Sequence, residues 1–444
     1  RTAYNAIGQI ASTTNKLGFT TRFDYDARGL LTNTVFALGT AQQATEQIQY
    51  DPEGRRTNTV DRAGRSTRYT YDGLGRLKRT TFPDGTYIES QYDAAGRLFA
   101  TVQGPANPGG FTPPPQGFTT LYQYDAAGRR TAIVDELNQT NRFAYDANGN
   151  QTNFVDALGR TTTYTLDKLN RQVQVTFADN TGESYVYDAL GRRVAITNQA
   201  GIVGRFGYDK LGRLVAVTNG FGSGMLNWAT FAYDQVGNQT NQVDSLNRRT
   251  RFEYDALGWR TKEILPGNQS QSYGYDAVGN LTRLTNFNGV VITNQYDALN
   301  RLTNKSSAGG YQVAFTYTPT GQRATISDAS GSYAFAYNSR DQLLTNSGPA
   351  GTLVYSYDIF GRLASIASTR AGGASVSYSY DSLNRISNAV DAVAGTATYG
   401  YDAVGNLKTA RYPNSVTNTY TYDSLNRLTN LAATTSSGTL ATFA

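Results

Sequence analysis

Tyr145-Asp146-Ala147-Asn148-Gly149-Asn150 is one copy of a phrase that runs the length of the chain: Tyr-Asp, two variable residues, Gly, then often Arg. Counting degenerate versions that begin at Tyr4, Leu166, Tyr317 and Tyr337, the phrase occurs 20 times, and 13 of the 19 steps between copies are 21 residues. A fixed period of that length marks a repeat architecture, so the repeat is read before anything else. The fourth residue after the Tyr decides the local geometry. It is Gly in 15 copies, among them Gly29, Gly75, Gly149, Gly191, Gly258, Gly361 and Gly405. It is Asn at Asn170, Asn300, Asn384 and Asn426, Asp at Asp341, and never β-branched. These residue types tolerate the left-handed region of backbone space. The Asp that follows the Tyr, as at Asp26, Asp72, Asp146, Asp188, Asp255, Asp358 and Asp402, is placed to accept hydrogen bonds from turn amides. A type I turn closed by a left-handed residue and a bulge is a common hairpin connection, so each phrase predicts a hairpin tip.

The flanks read as strands. In 16 of the 20 copies another aromatic stands two residues before the Tyr, for instance Phe23, Tyr69, Phe143, Tyr164 and Tyr420. A spacing of two puts both rings on one face of a strand. The strand after the tip runs to a second turn, such as Asp61-Arg62-Ala63-Gly64 or Asp156-Ala157-Leu158-Gly159. One repeat is therefore two strands of about 6–7 residues and two turns.

The full phrase Tyr71-Asp72-Gly73-Leu74-Gly75-Arg76-Leu77, matched again at Tyr357–Leu363, resembles the YD-repeat or RHS-repeat family over nearly the whole chain. That resemblance implies an all-β fold in which tandem antiparallel hairpins form one continuous spiralling sheet, a hollow tube or shell. It implies a structural role: a shell around a toxic C-terminal segment in Rhs proteins and toxin-complex subunits, or part of an adhesion protein in teneurins.

Composition narrows the chemistry. The 444 residues include 32 Tyr but neither Cys nor His. Disulfides, thiolate nucleophiles and Cys/His zinc sites are thereby excluded, and so are the common nucleophile–base pairs. The recurrent Asp residues are the only regular acid groups, and the simpler reading gives each to its own turn rather than to acid–base work or calcium. We expect no catalytic residue, no cofactor and no metal. The net charge of +6 arises from 40 basic and 34 acidic residues, with Arg directly after the turn position in 11 copies. That is structural patterning, not the concentrated basic face of a nucleic-acid binder. No apolar run reaches the length of a membrane span.

Where the period breaks, the surplus is read as loop. Residues 104–117 are rich in Pro and Gly and predict an excursion from the sheet, because Pro cannot serve a central ladder. Residues 37–45 predict a longer turn, and 219–228, rich in Gly, a second loop. The 219–228 stretch lacks the following helix that a phosphate loop needs. Between Tyr317 and Tyr380 the steps of 20, 20 and 23 residues predict deletion in a turn, since a slip within a strand would exchange its faces.

Residues 1–444 are thus read as a single repeat array, a segment of a longer protein, because neither end resembles a cap. About 40 strands laid flat would span roughly 190 Å, too wide to stay open, so the sheet should curl. A propeller of about ten blades exceeds the usual number, and Trp228 and Trp259 are too few for choline-binding cages. The leading expectation is a secreted or surface scaffold that forms the wall of a tube, fibre or shell. Its partners would be further repeats of the same chain or self-association. The alternatives are part of a toxin-enclosing container and an adhesion module for glycans or protein partners.

Overall fold

The computed structural model describes residues 1–106, 117–221 and 225–443. They form 41 strands and no helix, from β1 (Thr2–Tyr4) to β41 (Gly438–Phe443). Each strand pairs antiparallel with its neighbours in sequence, giving, among the described residues, a single meander with free edges only at β1 and β41. This is the hairpin sheet that the repeat implies.

One repeat shows how the sequence builds it. Strand β7 (Ser66–Tyr71) turns at Asp72–Gly75 into β8 (Leu77–Thr81). The Asp72 amide donates to the Arg76 carbonyl at 2.9 Å, and the Gly75 amide donates to the Asp72 carbonyl at 3.0 Å. Gly75 has φ of 79°, where a Cβ is strained. Pairing jumps from Tyr71–Leu77 to Thr70–Arg79, so one residue bulges out and sharpens the twist. The second turn, Phe82–Thr86, repeats the same two hydrogen bonds and leads into β9 (Tyr87–Tyr92).

The two faces of the sheet differ. Strand β31 (Gly331–Tyr337) alternates strictly: Tyr333, Phe335 and Tyr337 are half-buried, Ser332, Ala334 and Ala336 exposed. Across many tip hairpins the leading aromatic faces an apolar partner, Phe143 against Phe154 with ring centroids 5.5 Å apart, Tyr185 against Ile196, Tyr273 against Leu284. These pairs run as an apolar belt along one face, the unit by which sheets are stabilised. The other face is polar, with Asn58 opposite Arg68 and Arg79 opposite Glu89. Among the described residues only small or β-branched side chains such as Val35, Ala100, Val175 and Ala410, together with Tyr185, lie deep. The protein is a single-layer wall.

The irregular steps resolve differently. Residues 37–43 form the longer turn between β4 (Leu31–Phe36) and β5 (Ala44–Tyr50). The 20-residue steps lose their residue at the second turn: Asp328 pairs with Gly331, and Gly348 with Gly351, each across a two-residue turn. Of the 219–228 stretch, expected as a loop, residues 219–221 and 225–228 are strand, and residues 222–224 lie outside the described residues. They belong to the long paired strands β20 (Leu214–Phe221) and β21 (Met225–Tyr233), in which Asn219 pairs with Asn227 and Gly220 with Leu226. The surplus lengthens both strands, and glycine weakens a ladder without forbidding it. Of 104–117, Gly104 ends β10 (Leu98–Gly104), where a Cβ would collide with the Tyr87 ring, and residues 107–116 lie outside the described residues.

Candidate functional site: the two turn rows

The turns form two rows, one along each edge of the wall, and recurrent polar chemistry gathers there. In the Tyr-Asp row the sequence-selected positions share one geometry. Gly29, Gly75, Gly149, Asn170, Gly191, Gly258, Asn300, Gly361, Asn384, Gly405 and Asn426 have φ between 60° and 94°. Asp26, Asp72, Asp146, Asp188, Asp255, Asp358 and Asp402 each accept two backbone amides through Oδ1, from the residues two and four positions on. The Arg76 amide is the largest influence holding the Asp72 carboxyl below its ordinary range, and the Arg192 amide does the same for Asp188. At Asp146 the Asn150 side-chain amide leads. These carboxylates are committed as turn acceptors.

The residue after the tip links one repeat to the next. Arg76 binds Asp72 at 2.7 Å and lays its guanidinium over the Tyr92 ring, 4.4 Å from the centroid. Arg171, Arg192, Arg213 and Arg385 repeat this, each also donating Nη1 to the carbonyl of the next copy's Asp. Where Asn replaces Gly at the tip, its side-chain oxygen takes over as acceptor: Asn384 from Arg362, Asn170 from Asn150. The tyrosines return the link. Every Tyr of the phrase from Tyr25 to Tyr422 donates its hydroxyl to a main-chain carbonyl of the preceding repeat, at 2.7–2.9 Å. Burial pushes the hydroxyls of Tyr254, Tyr296 and Tyr401 above their ordinary range, so they stay protonated donors. The hydroxyl link and the Arg–Tyr stack were not read from the sequence. Their signal was there, in the fixed phase between each Arg and the following Tyr.

The second row makes a different contact. Arg65, in the second turn between β6 (Arg56–Val60) and β7, forms a two-pronged ion pair with Asp341 at 2.9 Å and donates to the Asn338 carbonyl. Thr320 completes the cluster by donating to Asp341. Asp341 belongs to the tip between β31 and β32 (Leu343–Gly348), 25 strands later. The contact recurs along the wall. Arg160 reaches the Asp423 carbonyl and Asn426, Arg340 reaches Thr86, the Ala106 amide reaches the Ile359 carbonyl, and Phe118 packs on Phe360 at 4.6 Å. The sheet therefore spirals. After 23 to 25 strands its Tyr-Asp row seats on the second-turn row of the coil before. At about 4.8 Å per strand a coil is roughly 115 Å around.

Among the described residues no group of three or more Asp and Glu is placed to hold a metal ion, and no helix is long and apolar enough to cross a membrane.

Comparison with known proteins fits this geometry. The Teneurin YD-shell family model matches residues 172–347. The RHS Repeat model matches 4–41, 50–87, 71–107, 145–181, 380–417 and 401–440. Among solved structures, TcdB2-TccC3-TEV is 15% identical with a TM-score of 0.59, over 98% of this chain and 30% of that one. TcdB2-TccC3 is 14% identical with a TM-score of 0.58, over 99% and 32%. The Photorhabdus luminescens Tc holotoxin pore is 15% identical with a TM-score of 0.56, over 99% and 31%. Likeness at such identity is likeness of fold, and the chain spans about 30% of the length of these structures. No curated protein sequence matches it.

Proposed function

We propose, for a chain that belongs to the YD/RHS-repeat family, that its work is to be a wall: a non-enzymatic, extracellular or cell-surface scaffold coiled into a tube, fibre or shell. The seam carries this reading. A sheet whose Tyr-Asp tips lock onto its own earlier second turns, through Arg65–Asp341 and Arg160–Asn426, is built to enclose a lumen. The absence of His and Cys supports a role without catalysis, as does the commitment of the tip carboxylates to turn amides and Arg. An adhesion role resting on the recurrent tyrosines is disfavoured, because their hydroxyls are occupied by main-chain carbonyls.

A second reading, a length of toxin-enclosing container, draws on the extent of the fold shared with the TcdB2-TccC3 structures. Electron microscopy of the isolated chain tests the wall directly. We expect short hollow particles roughly 115 Å in circumference. Flat or unrolled ribbons would overturn the proposal. Inclusion of a co-expressed, otherwise protease-sensitive segment within such particles would favour the container over the open tube.

A further inference from the structure

In the second coil Leu299, Leu383, Val404 and Leu425 hold the place just before the tip residue, and a row of such alike apolar tips would seat equally well one repeat to either side. Each tip straddles two successive second turns, and at three tips a departure from the phrase above meets a departure below. At the tip between β31 and β32, Asp341 stands where Gly is usual and takes Arg65. Its neighbour Arg340 reaches the next turn, donating to the Thr86 hydroxyl at 2.7 Å and to Asp84 Oδ2 at 3.4 Å, with its guanidinium over the Phe82 ring. Phe360, the one aromatic at its place in the phrase, packs on Phe118. At the tip between β39 (Thr417–Tyr422) and β40 (Leu428–Thr435), Asn426 accepts from Arg160 and Arg427 reaches Asp179 Oδ2 at 3.5 Å. The two turns that receive Arg340 and Arg427 are of one kind. Phe82-Pro83-Asp84-Gly85-Thr86 and Phe177-Ala178-Asp179-Asn180-Thr181 alone among the second turns read Phe-x-Asp-x-Thr. In each, Asp Oδ1 accepts the Thr amide and hydroxyl, which leaves Oδ2 for the arginine. The two sockets lie eight strands apart in the first coil, as do the two arginines in the second.

We propose that these matched departures key the seam: they decide which repeat of the second coil lies on which repeat of the first. The inference rests on the coiled-wall reading and names the residues that choose its register. Accumulated twist brings the sheet round to about this strand number, and the keys select among neighbouring ones. Slipped back by one repeat, Arg340 would come against Arg65 and Arg427 against Arg160, while Asp341 would face residues 37–43, which carry no charge. Slipped forward, Asp341 would come beside Asp84, and Arg427 would face residues 198–202, which also carry none. Either slip parts Phe360 from Phe118. A single exposed ion pair contributes little. Discrimination comes from the difference between registers, with opposite charges joined in one and like charges brought together in the others.

Spin labels on Ala157→Cys and Ala403→Cys read the register, since the two residues line one cleft across the seam and the chain has no cysteine of its own. A re-keyed variant, Arg340→Glu/Asp341→Gly/Phe360→Leu/Arg427→Glu, puts carboxylates against Asp84 and Asp179 in the native register and against Arg65 and Arg160 one repeat back. We expect its label distance to lengthen by up to about 10 Å, two strand spacings, with native circular dichroism. An erased variant, Arg340→Leu/Asp341→Gly/Phe360→Leu/Arg427→Asn, carries only residues that the phrase uses at those places in other copies, so its tips should form. We expect it to show a second, longer distance beside the native one. Arg248→Glu, on the part of the second-turn row left free of a coil, should keep the native distance alone. Re-keyed and erased variants that both keep the native distance alone would overturn the proposal. So would variants that unroll beside a coiled native chain, because the pairs would then hold the seam without choosing its register. A native chain that is itself unrolled would defeat the coiled-wall reading instead.

Discussion

Leu190 and Leu383 occupy the same position of the same phrase, yet one stands in solvent and the other lies in a seam. Nothing within either repeat accounts for the difference. Each tip is closed by the same pair of main-chain hydrogen bonds and the same Asp acceptor. What differs is whether a coil lies beneath. Local sequence therefore sets the turn, and position along the spiral sets its environment.

The largest effect should come from erasing the tips of both coils together. In Asp72, Asp93 and Asp188 turn amides lead in depressing the carboxyl, and in Asp341 the Arg65 side chain leads. A depressed folded pKa gives stability that is complete above the unfolded value, about 4, and lost as pH falls through the folded values. Acid titration followed by circular dichroism should show cooperative loss below about pH 4, in first and second coil alike. The raised Tyr254, Tyr296 and Tyr401 have the opposite sign, with stability complete below about pH 10 and lost above it.

Gly361→Val against Gly191→Val separates strain from seam. Both glycines have positive φ, so each variant should lose on the order of 1–3 kcal/mol to backbone strain. Gly361 also has Arg340 and Asp84 against the space a Cβ would fill, while Gly191 has none. The Gly361 variant should therefore unfold at distinctly lower denaturant than the Gly191 variant.

Arg65→Ala leaves the Asp341 carboxylate beside Thr320 without its cation and should cost on the order of 1–3 kcal/mol. Arg248→Ala, on the free row, should stay within about 0.5 kcal/mol. Hydrogen exchange at 338–342 should rise in the first variant and not in the second. Tyr254→Phe removes a hydroxyl link common to both coils and should cost about 1 kcal/mol, whichever coil carries it. The smallest effect is the sharpest comparison. Leu383→Ser should cost about 1 kcal/mol, and Leu190→Ser within about 0.5, by denaturant midpoint.

These contrasts also mark what could be read from residues alone. The hairpins were legible because their determinants are local: a residue free to take positive φ, an Asp to cap it, and rings spaced by two. The strand pairing at 219–221 and 225–228 was misread because the glycines there drew attention from pairing that needs only main-chain amides. The seam was not legible at all. The number of strands per coil follows from small twists summed over some 24 strands, a quantity no single repeat encodes. Residues that make the seam look like errors in the pattern. Asp341 stands where Gly is the rule, and in sequence it reads as decay of the phrase. In the fold it accepts Arg65.

Spin labels at Ala157 and Ala403 would test the coiling most directly. The two residues line one cleft across the seam, with 23 strands between their turns. A spiral wall predicts a single short, narrow distance between the labels. An unrolled sheet would hold them roughly 110 Å apart, and a long or broad distribution would contradict the account.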